Sequence, residues 1–93
     1  MQKDKNVTKV IFRMWNDGTI DALMPEIQAD YSGNIQSYSH IGQHSAADYN
    51  HCIKSTKLAS AEQYSKLLIE LETIGYNVKV IKKYIEPKIK LVE

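Results

Sequence analysis

Alternating positions over residues 7–15 place Val10, Phe12 and Met14 on one side of an extended chain and Lys9, Ile11, Arg13 and Trp15 on the other. A period of two in a run rich in β-branched and aromatic residues predicts a strand. Asn16-Asp17-Gly18 supplies a tight turn, and Ile20, Ala22 and Met24 then alternate again, so the chain is expected to open with a β-hairpin. Pro25 has no N–H for a ladder and is expected to end the second strand, with loop composition following through Asp30-Tyr31-Ser32-Gly33-Asn34. A weaker third strand is predicted over 35–41, a loop over 42–48, and a fourth strand over 49–56 with Tyr49, His51 and Ile53 on one face. The spacing Ser45-x-x-Asp48 offers a short helix as the alternative for that segment.

The strongest pattern begins at Ser60, which can cap the first free N–H groups while Gln63 reaches back to the cap. Tyr64, Leu67, Leu68, Leu71 and Ile74 then recur at helical spacing, with Leu68 and Leu71 at the centre of the stripe, while Glu62, Lys66, Glu70, Glu72 and Thr73 form a solvated face. Gly75 supplies a left-handed stop. A last strand is predicted over 77–85, closed by Pro87, and the tail over 88–92 alternates well enough to pair with a sheet edge or a second chain. The expected fold is therefore α+β: one domain over 1–93 with a short extended tail at 86–93. Its mostly antiparallel sheet has about five strands in the order ββββαβ, with one amphipathic helix on one face. One helix leaves the other face, with Ile11, Trp15 and Leu23, to solvent or a partner, and that open face predicts self-association.

Composition narrows the class without naming an activity. Apolar residues make up 43% and charged residues 25% of the 93 residues, ordinary values for a globular chain. A single cysteine, Cys52, excludes an internal disulfide framework and fits a reducing compartment; with the polar start of the sequence it gives a cytoplasmic expectation. Net charge is +1, which favours neither nucleic acid nor a membrane as partner. Its distribution is uneven: no Lys or Arg lies between Met14 and Ile53, where Asp17, Asp21, Glu26, Asp30 and Asp48 fall, whereas Lys79, Lys82, Lys83, Lys88 and Lys90 crowd the end.

The sequence contains no phosphate loop, dinucleotide fingerprint, nucleophile elbow or HExxH zinc helix. Its densest polar constellation is Ser37-Tyr38-Ser39-His40-Ile41-Gly42-Gln43-His44, followed by Asp48, His51 and Cys52. His, Asp and Cys are zinc-ligand types, but Gly42 between His40 and His44 argues against a helical pair, and no Cys-x-x-Cys spacing closes a site, so no metal or other cofactor is expected. Cys52 beside His51 reads as a small buried thiol rather than a nucleophile, because adjacent strand residues point to opposite faces. Tyr38, His40, Gln43, His44 and Asp48, on a weakly patterned strand and loop, are the candidate binding residues, joined by Trp15 as a candidate interface aromatic.

Val10-Ile11-Phe12-Arg13-x-Trp15, Asp17-Gly18-x-Ile20-x-Ala22-Leu23-x-Pro25-Glu26, Ser37-Tyr38-x-His40-x-Gly42-Gln43-His44 and Ala47-Asp48-Tyr49 together resemble a group of small proteins of unknown function from gut bacteria and their phages or mobile elements. The resemblance covers most of the chain up to about Val80 and implies a single compact domain without implying a mechanism. A mobile-element setting implies an accessory protein acting on a host factor. The resulting expectation is a non-enzymatic module that binds a protein or a small ligand. Two alternatives stay open: a metal-dependent or histidine-using enzyme built on His40, His44, Asp48 and Cys52, and a nucleic-acid binder using the basic 79–90 segment.

Overall fold

The computed structural model describes residues 7–39 and 43–89, and shows an α+β fold with a mostly antiparallel sheet and two helices. β1 (Val7–Met14) and β2 (Ile20–Gln28) form the expected hairpin, with Ile11 opposite Leu23 and Met14 opposite Ile20. Its turn closes through Gly18, whose φ of +90° only glycine adopts without strain, and Trp15 N–H donates to the Thr19 carbonyl at 2.8 Å. At the far end of β2 the Asp30 carboxylate accepts from the backbone N–H groups of Ser32 and Asn34 and from the Asn34 side chain. These bonds hold the Asp30 carboxyl below the usual carboxylate range, the Asn34 side chain first and Ser32 N–H next. β3 (Ile35–Ser39) returns beside β2, and β4 (Gln43–Ala47) beside β3.

Two helices and two short strands complete the structure. α1 (Tyr49–Ser55) leads into β5 (Lys57–Leu58), and α2 (Ala61–Thr73) leads into β6 (Asn77–Val80). The sheet runs β4-β3-β2-β1, and the second edge of β1 is shared: β6 pairs in parallel with residues 7–10 and β5 antiparallel with Arg13 and Met14. Where the two meet, the Val10 carbonyl accepts from Ile81 N–H and the Phe12 carbonyl from Ala59 N–H, both at 2.9 Å, so the ladder crosses the junction without a gap.

α2 forms as the sequence predicts. Ser60 and Gln63 make a reciprocal capping box, and Tyr76 N–H reaches back to the Leu71 carbonyl past Gly75 at φ +119°. Tyr64, Leu67 and Leu71 pack on Val10, Phe12, Ala22, Met24 and Tyr38, with the Phe12 and Tyr64 rings stacked at 4.3 Å. Leu68 is half-buried at the margin and Ile74 is exposed, so the buried stripe is narrower than the sequence suggests. Glu70, read as part of the solvated face, is half-buried and accepts from the Tyr38 hydroxyl.

The opposite face is not open. Ile11, Leu23 and Ile35 pack there on Tyr49 and Cys52 of α1, with Trp15, Ile53, Ile81 and Ile89 at the margin. The expected fourth strand over 49–56 is thus α1, the helical alternative, although its cap is Asp48 and not Ser45. Side chains three apart, Tyr49 and Cys52, reach the sheet together, which a strand would not allow. Arg13 fixes this helix by donating from Nε to Thr56 Oγ1 at 2.9 Å and from Nη2 to the Ile53 and Thr56 carbonyls at 3.0 and 2.6 Å. The two carbonyls are groups a helix end leaves without partners, at its negative pole.

Three further expectations change. Residues 43–47, read as loop, are β4. β2 does not stop at Pro25, because its register with β3 shifts between Met24 and Gln28 and an irregular position tolerates a missing N–H. Met24 and Ile27, three apart, consequently reach the same core layer. β6 ends at Val80, beyond which residues 81–89 run over the α1 face: Tyr84 stacks on Tyr49 at 5.0 Å and Lys88 N–H donates to the Pro25 carbonyl at 2.9 Å. With that face covered and Ile89 packed on it, the open-face argument for self-association loses its premise; the rest of the expected tail pairing falls on 90–93, outside the described residues.

Leu71→Ala should cost about 2 to 5 kcal/mol, the range for a leucine removed from a sealed core, whereas Ile74→Ala should shift the urea midpoint little. Arg13→Lys keeps the charge but loses the planar fork, and is expected to cost about 1 to 3 kcal/mol with early amide exchange across 49–55. An unchanged midpoint and unchanged exchange in Arg13→Lys would show that α1 docks through its apolar side chains alone.

Candidate functional site

The sheet separates the residues the sequence groups together. Tyr38, the fourth of five residues in β3, faces α2 and is 1% exposed; its hydroxyl donates to Glu70 Oε2 at 2.5 Å. His44 is its cross-strand neighbour on β4, meeting the Tyr38 ring edge-on at 4.7 Å and sharing a 2.8 Å hydrogen bond between Nε2 and the Tyr76 hydroxyl. His44 is exposed, so Tyr38 is the buried support and His44 the surface presented over it. Both tie the outer strands to the end of α2.

The other face of the same strands carries a polar ladder. Asp21 on β2 accepts from Trp15 Nε1 at 2.8 Å through one oxygen and from Ser39 Oγ at 2.9 Å through the other. Ser37 Oγ lies 3.0 Å from Ser45 Oγ and 3.1 Å from the Ser45 carbonyl, linking β3 to β4. Trp15 is half-buried, with its ring 6.2 Å from the exposed His51, and borders a recess formed with Asn16, Asp17, Thr19 and Ser55.

Asp48 is occupied as the N-cap of α1, where Oδ1 accepts from His51 N–H at 3.2 Å. Cys52 lies beneath that helix, its thiol pushed up by burial first and then by the charges of Asp21 and Asp48, which disfavours the thiolate a nucleophile needs. Gln43 is exposed at the start of β4, and His40 lies outside the described residues. Of the candidate set, the structure therefore brings together Tyr38 and His44 on one face, and Trp15, Asp48, His51 and Cys52 on the other. Among the described residues no group of His, Cys, Asp or Glu is placed to hold a metal ion.

What the sequence reading missed is the strand itself. Gln43, His44, Ser45 and Ala46 are exposed and Ala47 is half-buried, and among the described residues β4 pairs only with β3, so its outer backbone edge is unpaired. Edge strands are normally guarded by lysine, proline or an inward charge. Gln-His-Ser-Ala-Ala has none of these. The signal available in the sequence was the absence of Gly and Pro from 43–47, but alanine and serine have weak strand propensity and pull such a segment toward a loop reading.

Tyr38→Phe should lower stability by about 1.5 to 3 kcal/mol, since it removes a hydrogen bond to a half-buried carboxylate, whereas His44→Ala should cost well under about 1 kcal/mol. Comparable losses in both would place His44 in the structural framework and not on the accessible surface. Among the described residues no helix is long and apolar enough to cross a membrane. No protein-family model matches the chain, and neither a curated protein nor a solved structure is significantly similar to it.

Proposed function

We propose that this protein is a non-enzymatic interaction module that accepts an extended segment of a protein partner along β4. The observation that carries the reading is the five-residue edge Gln43–Ala47, unpaired on its outer side among the described residues and free of Lys, Arg, Asp, Glu and Pro. Backbone N–H and C=O groups along such an edge supply affinity, and the side chains on either side of it supply selectivity. The edge is braced on both faces, by Tyr38 and Tyr76 behind His44 and by Ser37 behind Ser45, so little ordering cost is expected on binding. Gln43 and His44 lie on the edge strand itself, whereas Trp15 and Asp48 belong to the side of the sheet covered by α1. β4 falls in the 14–53 stretch that carries acids and no Lys or Arg until Lys54, which favours a segment with basic side chains.

The test is a selection of displayed ten-residue peptides on the intact protein, followed by binding and amide exchange. Selected peptides should be basic and extended and should protect amides over 43–47. Ala46→Pro should weaken them by roughly a hundredfold while the unfolding midpoint stays near its starting value, since proline removes an edge donor and inserts a bulky ring. Peptides that bind Ala46→Pro as well as the parent, or that protect another segment, would overturn the reading.

A further inference from the structure

At the opposite end of the sheet from the turn at Gly18, Val7, Lys9, Glu26, Lys79 and Lys88 enclose a cleft of about 280 Å³. We propose that it is an anion site for a small phosphate monoester, independent of the β4 edge.

The fold creates the cleft by bringing lysines from three separate segments around one carboxylate. Lys9 and Lys79 are direct register partners in the parallel pairing of β1 with β6, so their side chains leave the same face of neighbouring strands. Like charges directly opposite one another are unfavourable. Lys88 arrives from the C-terminal segment, held by its backbone bond to Pro25. The register shift after Met24 turns Glu26 toward this group: its Oε2 lies 3.4 Å from Lys9 Nζ and 3.7 Å from Lys88 Nζ.

Those two contacts use one carboxylate for two ammonium groups, and Lys79 has no acidic partner among the described residues. Three positive charges against one negative leave the cleft with two in excess, which a dianion neutralises. At about 280 Å³ the cleft has room for a phosphate group together with a small organic substituent. Lysines serve as phosphate binders by point charge, without the fork geometry an arginine provides. The same logic gives Glu26 a defined part: it holds Lys9 and Lys88 in place, yet it also competes with the incoming anion.

The experiment is titration of the full chain with inorganic phosphate and with phenyl phosphate at constant ionic strength, followed by amide and lysine side-chain NMR shifts. Saturable shifts are expected at Lys9, Lys79 and Lys88, and not at Lys54, Lys57 or Lys66. Lys79→Gln, which breaks no ion pair among the described residues, should weaken binding roughly tenfold, a usual scale for one charged contact. Glu26→Gln should tighten it severalfold. Should Glu26→Gln fail to fold, Lys79→Gln decides alone, with Lys66→Gln as the control on α2. Linear shifts spread over all lysines, equal losses in Lys79→Gln and Lys66→Gln, or binding of an oligonucleotide without saturable phosphate binding would each overturn the site.

Discussion

The structure depends on the double-sided burial of β1. Val10, Ile11 and Phe12 are consecutive, and none is more than 1% exposed. Successive side chains of a strand point to opposite faces, so three buried in a row require apolar cover on both sides of the sheet. β2 repeats the demand with Ala22, Leu23 and Met24. α2 meets it on the side of Phe12 and Met24, while α1 and residues 81–89 meet it on the side of Ile11 and Leu23. α1, α2, β5 and β6 all return to β1 for this reason, and β5 and β6 divide its remaining edge between them.

The elements written in local chemistry were legible in the sequence. Gly18 in the hairpin turn, the Ser60 and Gln63 box and Gly75 after the helix each satisfy a requirement that concerns only a few neighbouring residues. α1 was less legible because Tyr49 and Cys52 fit a helical face while His51 and Ile53 suggest alternation, and seven residues span too few turns to separate the two periods. What decides for the helix lies 40 or more residues away, in the Arg13 bonds to Ile53 and Thr56. The second apolar layer was visible in principle, as the unbroken run Ala22-Leu23-Met24 reads as a strand buried on both faces. Reading it as alternation hides the need for a second cover.

The candidate site was legible by composition but not by arrangement. A cluster of histidines and hydroxyls within a dozen or so positions suggests convergence, yet strand pairing sends Tyr38 and His44 to one face and Ser37, Ser39 and Ser45 to the other. Asp48 and Cys52 then leave the sheet altogether on α1. The polar residues of this region are largely occupied in bracing strands: Asp21 holds Trp15 and Ser39, and Glu70 holds Tyr38. No buried side-chain N or O among the described residues lacks a partner. A polar network satisfied this completely rigidifies the framework it belongs to.

That rigidity bears on how an unguarded edge can persist in a folded protein. An edge that is both unguarded and mobile would pair with any exposed strand, because register is weakly specified where side chains have no fixed surroundings. In β4, His44 is held by Tyr38 and Tyr76 and Ser45 by Ser37, so the strand presents a fixed outline. Under the proposed edge pairing, a fixed outline restricts partners to those whose side chains match the Gln43, His44 and Ala46 surface. Under that proposal selectivity comes from the second layer of side chains behind the edge, and the buried Tyr38, unable to touch a partner itself, would act by holding His44 in place.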